Sequence, residues 1–313
     1  MAFLRWLSRV GRVTLVLVAV AAVAPGTARS VPEPAAPALL GRPPVPTFGD
    51  FAPAKSGSEP SYYLSLGDSL AVGVQPDADG HSLPSTDGYP DQLFERLARA
   101  DRTLRLVKLG CSGENTTTML NGGICSYGRS GSQADAAEAF LRANADRVRL
   151  VTLDIGANDI NHCAPDGQVD VDCAVAGLTS IGENLPVLLT MLRSAAPRVP
   201  VLAMNYYDPF LAVWLLGDTG PRTAVGTVAV TAAVNRQLEE IYHHFGARVV
   251  DVQDAFGTTD LLRTEPTRYG LVPVAVARIC AWTWMCEPAP VGPNIHANQV
   301  GYRIIAEAFF RAV

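Results

Sequence analysis

Two hydrophobic patterns alternate along most of the chain. Short, mostly apolar runs of strand length at residues 62–66, 104–109, 150–155, 199–205 and 247–252 predict strands. Longer stretches between them repeat their apolar positions at helical spacing. Val234, Leu238, Ile241, Tyr242 and Phe245 share one face, and Ile304, Ile305, Ala308 and Phe309 do the same in a last helix over 300–312. Strand and helix in alternation predict an α/β fold of βαβ units, with a mostly parallel sheet covered on both faces. In such sheets, sites form at the carboxyl ends of the strands. Residues 206–230 and 258–293 fit the alternation poorly and read as long loops, which in a compact domain are often functional.

The first 58 residues follow neither pattern. Arg5, Arg9 and Arg12 precede an apolar run over 13–24, and Pro25 with the small residues Gly26, Thr27 and Ala28 follows it. This order predicts a secretory signal peptide over 1–30, cut after Ala28 or Ser30. The apolar run is shorter than the roughly twenty residues a bilayer span needs, so no membrane anchor is expected in the exported chain. Residues 31–58 are rich in Pro and Ala and predict a linker or arm, leaving 59–313 as one folded domain.

With 48% hydrophobic and 18% charged residues, the 313-residue chain can bury a sizeable core. Its formal charge is −5. The leader holds four arginines and no acid, so its removal leaves 21 basic against 30 acidic residues, a net −9. Only Lys55 and Lys108 are lysines, and no basic run exists, which argues against a nucleic-acid partner. The six cysteines all lie beyond the leader, where an oxidising compartment favours disulfides over metal ligation. Fifteen pairings are open to six cysteines. Close spacing suggests three local bridges, Cys111 with Cys125, Cys163 with Cys173, and Cys280 with Cys286. Asp166, Asp170 and Asp172 fall inside the second of these loops and read as a solvated acidic loop, not a calcium site.

Candidate chemistry centres on "YYLSLGDSLAVG", residues 62–73, where the first strand breaks at Gly67, Asp68 and Ser69. Taken alone, Ser69 reads as a helix N-cap. As a nucleophile it needs a base and an oxyanion hole. Of the five histidines, His243 and His244 fall at the end of a helix, where a cation suits the dipole. His81 and His162 stand in no supporting motif, whereas His296 lies in "GPNIHANQVGY", just before the last helix. No Gly-x-Ser-x-Gly elbow, His-Glu-x-x-His or Walker sequence occurs.

Four blocks in order resemble the SGNH hydrolases, also called GDSL esterases and lipases: "SLGDSLAVG", "LGCSGENTTTM" (109–119), "DIGANDI" (154–160) and "NIHANQVGY" (294–302). The resemblance spans essentially the whole exported domain. It implies a three-layer αβα sandwich around a five-stranded, flavodoxin-like sheet. It also implies a secreted carboxylic-ester hydrolase with Ser69 as nucleophile and His296 as base. The oxyanion hole would comprise the backbone N–H groups of Ser69 and Gly113 and the side-chain amide of Asn158. A serine at a helix N-terminus is also placed where the dipole and free N–H groups favour a developing oxyanion. Neither metal nor organic cofactor is required.

Many family members carry Asp three residues before the histidine; here that residue is Pro293. Asn294, or a main-chain carbonyl in the loop before it, is expected to orient His296 instead. Phe210 and Trp214 are candidates for one wall of an acyl-chain groove, and Trp282, inside "CAWTWMC", for its mouth. Acyl esters, lipid-like or short-chain, are the expected substrates of a monomeric enzyme. The alternatives are a carbohydrate O-acetyl esterase and an inactive wall- or lipid-binding module on the same fold.

Overall fold

The computed structural model describes residues 59–163 and 170–313. The leader, the Pro- and Ala-rich arm and Asp166 lie outside the described residues. In chain order, β1 (Ser61–Gly67) leads into a single helical turn, α1 (Ser69–Val72), then a small hairpin of β2 (Gln75–Pro76) and β3 (Ser82–Leu83), then α2 (Tyr89–Leu97). Next come β4 (Leu104–Lys108), α3 (Thr116–Asn121), α4 (Gln133–Asn144), β5 (Val148–Asp154) and α5 (Val171–Ala195). They are followed by β6 (Val201–Met204), α6 (Gly220–His244), β7 (Arg248–Val250) and α7 (Val252–Phe256). The chain ends with a hairpin of β8 (Thr264–Thr267) and β9 (Gly270–Pro273), helix α8 (Val274–Trp282), the pair β10 (Thr283–Trp284) and β11 (Asn294–Ala297), and α9 (Gln299–Ala312).

Five strands form one sheet in the order β4-β1-β5-β6-β7, and every neighbouring pair is parallel. Numbered among themselves they run 2-1-3-4-5, the doubly wound order whose direction of growth reverses between the first and third strands. Here those strands are β1 and β5. Both faces of these strands are covered: Tyr63, Leu64 and Leu66 of β1 and Leu150, Val151 and Leu153 of β5 are all buried, and so are the intervening Ser65 and Thr152. On one face, Tyr89 of α2 stacks on Phe309 of α9 with ring centroids 4.8 Å apart. On the other, Phe140 of α4 meets Tyr62 edge-on at 5.2 Å. The result is the expected three-layer sandwich, with α5 packed between α4 and α6. By length and composition α5 could cross a membrane. Yet Ile181, Leu185, Leu188, Leu189 and Leu192 sit in the core, which makes it a core helix.

Both expected long loops carry structure. In residues 206–230 only the first part is irregular, with 3-10 turns at Pro209–Leu215 and Gly217–Thr219, and α6 already begins at Gly220. Its opening "GPRTAVGTVAV" is rich in Val, Thr and Gly, weak helix formers, and packing against the turn at Pro209–Leu215 overrides that preference. Residues 258–293 hold β8, β9 and α8. Val274, Ala275, Val276, Ala277 and Ile279 of α8 are all buried, so the helix has no polar face from which a period can be read. The three local disulfides, Cys111–Cys125, Cys163–Cys173 and Cys280–Cys286, are formed.

Candidate active site

β1 and β5 end side by side at the point where the strand order reverses. Gly67 closes β1 with φ +141°, and a Cβ there would lie 2.2 Å from Asp154 O, so both conformation and contact demand glycine. The cap of α1 is Asp68, not Ser69: its carboxyl accepts the Leu70 N–H at 2.9 Å. Ser69 is therefore the first helical residue, and its hydroxyl is not used in capping. A single turn has little macrodipole, so individual N–H groups matter more here than the helix as a whole.

The neighbouring N–H groups are all taken. That of Asp68 goes to Asp154 O at 3.1 Å and to Asp154 Oδ2 at 3.2 Å. That of Ala71 goes to Asp154 Oδ2 at 3.2 Å, and that of Val72 to Asp68 O at 3.2 Å. Among the described residues, the N–H of Ser69 has no protein acceptor. Gln133 of α4, fully buried, grips the strand end as a neighbouring strand would: Gly67 donates to its Oε1 at 2.7 Å, and its Nε2 donates to Gly67 O at 3.0 Å.

Gly113 lies in the loop after β4, with φ +86° and no protein atom within 4 Å of where a Cβ would stand. Glycine at this position serves the left-handed backbone, not a close approach of protein atoms. The Cys111 N–H donates to Gly67 O at 3.0 Å and the Glu114 N–H to Cys111 O at 3.2 Å. Among the described residues, the Gly113 N–H has no protein acceptor. Asn158, in the 3-10 turn Ala157–Asp159 after β5, donates from Nδ2 to Glu114 O at 2.8 Å. Asp159 accepts the Thr116 N–H at 3.0 Å and the Thr116 hydroxyl at 2.6 Å. These bonds tie the Gly113 and Asn158 loops to one another, and Cys111–Cys125 anchors the first of them.

His296 sits in β11, which packs against α1. Asn294 Oδ1 accepts the backbone N–H of His296 at 3.0 Å, which identifies that amide atom as the oxygen. The same oxygen lies 2.6 Å from His296 Nδ1, so Nδ1 carries the ring proton and Nε2 is the acceptor. Asn294 Nδ2 in turn donates to Ser82 Oγ of β3 at 3.0 Å, and Tyr207 OH donates to Ile295 O at 2.8 Å. Burial pushes the His296 imidazole down to about 4. Pro293 is exposed.

Of the other histidines, only His162 touches a residue of the candidate site. His81 is exposed beside Asp77 at 3.3 Å, and His162 is exposed with Nδ1 3.3 Å from Asn158 O. His243 and His244 close α6. Phe210 and Trp214 are half-buried in the 3-10 turn Pro209–Leu215, which packs against β11. Trp282 is half-buried, edge-on to Phe256 at 5.3 Å and under Arg278 at 5.1 Å. Asp170 caps α5 by accepting the Cys173 N–H at 3.0 Å. Among the described residues, two groups bring three metal-ligand atoms within 4.8 Å of one another. One contains the disulfide-bonded Cys163 and Cys173; in the other, Asp77 already accepts the N–H groups of Asp79 and His81.

Asp154, Gln133, Tyr206 and Ser82 escaped the sequence reading. Asp154 had one legible signal, a carboxyl group at the end of a mostly apolar strand, whereas nothing near Gln133 or Ser82 marks either residue.

The model of the GDSL-like Lipase/Acylhydrolase family matches residues 65–304. Among solved structures, an extracellular lipase from Streptomyces rimosus is similar at 20% identity and TM-score 0.52, covering 81% of this chain and 100% of its own. A phospholipase A1 from Streptomyces albidoflavus NA297 is similar at 18% identity and TM-score 0.51, also covering 81% and 100%. At such identities the likeness concerns the fold. No curated protein matches the chain.

Proposed function

The chain belongs to the GDSL-like lipase/acylhydrolase family, and from that premise we propose that this carboxylic-ester hydrolase works through Ser69 and His296 by way of an acyl-enzyme. His296 Nε2 takes the hydroxyl proton as Ser69 Oγ attacks the ester carbonyl. The tetrahedral oxyanion is received by the N–H groups of Ser69 and Gly113 and by the second N–H of the Asn158 amide, whose first is bound to Glu114 O. The imidazolium returns its proton to the leaving alkoxide. Water, deprotonated by His296, then attacks the acyl-enzyme, and as the second oxyanion collapses the imidazolium gives its proton to the leaving Ser69 Oγ, which releases the acid and restores both residues.

One observation carries this reading: the distribution of hydrogen bonds around Ser69, in which the N–H groups of Asp68, Leu70, Ala71 and Val72 all have acceptors and that of Ser69 has none among the described residues. Asn294 supports it by holding the imidazole in the tautomer a base needs. With a neutral acceptor in place of a carboxylate, the imidazolium is stabilised chiefly by the oxyanion formed beside it.

The substrate is an acyl ester, lipid-like or short-chain. The names of the two Streptomyces enzymes, a lipase and a phospholipase A1, favour the lipid-like class. Residues 1–30 act as a cleaved leader, 31–58 as an arm and 59–313 as the catalytic domain of an exported enzyme. The test is a panel of nitrophenyl esters from acetyl to palmitoyl, assayed with wild type and Ser69→Ala. Turnover by wild type, lowered about 10⁴-fold or more in Ser69→Ala, supports the mechanism. Equal turnover by both proteins overturns it, and no turnover of any ester points to a binding module.

A further inference from the structure

Ser69 opens a helical turn only four residues long, too short to hold its shape by helix propensity. Tertiary contacts fix it at both ends. At the N-terminal end, Asp154 Oδ2 accepts the N–H groups of Asp68 and Ala71, and Asp154 Oδ1 accepts the Tyr89 hydroxyl at 2.5 Å. Asp68, whose Oδ1 caps the turn, accepts the Tyr206 hydroxyl on Oδ2 at 3.1 Å. At the C-terminal end the contacts converge on Lys108, the last residue of β4. Its ammonium donates to Val72 O at 2.9 Å, to Ser85 O at 3.2 Å and to Asp91 Oδ2 of α2 at 2.7 Å. Ser85 Oγ adds a bond to Gly73 O at 2.6 Å, and the same Asp91 oxygen accepts the Gly88 N–H at 3.0 Å.

We propose that Lys108 is a positioning residue for the nucleophile, using all three ammonium protons to clamp the C-terminal end of the Ser69 turn to α2 and to the segment before it. The three acceptors belong to three different segments, and a tetrahedral nitrogen with three N–H groups meets them one each. A guanidinium, planar and with its N–H groups in a fixed fork, suits a carboxylate but not three acceptors spread around one point. The composition agrees with that demand. Of 25 basic residues only two are lysines, and Lys108 is the only lysine among the described residues. The clamp is also largely sheltered from water, with side chains 24% exposed for Lys108 and 16% for Asp91, so it is screened less than a surface ion pair. A short path leads from it to the nucleophile. Ser69 O accepts the N–H groups of Gly73 and Val74, each at 3.0 Å, so a shift at the end of the turn is passed directly to the Ser69 backbone.

This role rests on Ser69 being the nucleophile, which Ser69→Ala decides separately. Lys108→Met keeps the apolar stem and removes the donors, whereas Lys108→Arg keeps the charge and replaces the point donor by a fork. Lys108→Met is expected to lower kcat about tenfold and Lys108→Arg about threefold, with KM little changed. A purely structural role predicts something else: fewer folded molecules, each working at the wild-type rate. Counting sites with an irreversible nitrophenyl phosphonate, which releases one nitrophenolate for each serine it modifies, separates the two. The expected result is a full count of sites in both variants, each reacting more slowly than in wild type. Wild-type kcat in Lys108→Met, or a loss accounted for wholly by missing sites, overturns the proposal. Wild-type kcat in Lys108→Arg overturns it too, since charge alone would then suffice. Should Lys108→Met not fold, Lys108→Arg, which keeps a cation beside Asp91, still decides. Turnover that survives in Ser69→Ala removes the reading of Ser69 itself, a result that the Lys108 variants cannot produce.

Discussion

His296 takes its tautomer from a side chain two residues away, and that short path makes its behaviour open to single substitutions. Asn294→Ala removes the acceptor from Nδ1 and is expected to lower kcat roughly ten- to a hundredfold, with KM little changed. Asn294→Asp puts a carboxylate in the same place and favours the charged imidazole. In wild type, kcat/KM is expected to hold down to weakly acidic pH and fall with a midpoint near the 4 to which burial pushes His296. In Asn294→Asp the midpoint moves toward neutrality; an unmoved midpoint in stopped or steady-state assays separates His296 from the acid limb. Ser69, Gly113, Asn158 and His296 were legible as candidates because each stands in a short motif. Asp154 stood inside one of those motifs without a role, since its partners come from the register of β1 against β5 and from α2, and local spacing shows neither.

Strands with mostly apolar runs of strand length and helices with a one-sided apolar face were read correctly, whereas a helix start rich in β-branched residues and a helix without a polar face were not. The five sheet strands emerged from their apolar runs, and α9 from its face. The start of α6 was hidden by β-branched residues and α8 by the lack of a polar face. At this scale the Gly113 loop invites a direct test. It is stapled by Cys111–Cys125 and bonded to Asn158 and Asp159, while the sheet owes nothing to that bridge. Cys111→Ser with Cys125→Ser is expected to lower kcat more than far-ultraviolet circular dichroism changes; equal losses of activity and helix signal would assign the bridge to the fold alone. Gln133→Ala, which leaves the buried Gly67 N–H and C=O without the partners that hold them, is expected to cost about 2 kcal/mol in denaturant unfolding.

Two buried groups with opposite leanings govern how the whole molecule meets acid. As pH falls below 6.5, an unfolded chain protonates its histidine, but folded His296 accepts the proton only near 4, so this group withdraws about 3 kcal/mol of stability across that window. Asp208 works the other way. Burial pushes its carboxyl up to about 6, so the folded state takes up a proton before the unfolded one and gains stability as pH drops from 6 toward the ordinary carboxylate range. The two contributions offset each other. Asp208→Asn is therefore expected to steepen the loss of thermal stability between pH 6 and 4, and His296→Asn to flatten it, as read by calorimetry over that range.

The disulfides divide the chain's assembly in time. The bridges close spans of 14, 10 and 6 residues, whereas the first sheet pairing joins Ser61 to Leu104 and the next Tyr62 to Val148. Closing a loop of about ten residues takes on the order of 10–100 ns, while non-local parallel pairing is among the slowest steps in folding. Cysteines thus meet their native partners first, because every non-native partner is further away in sequence.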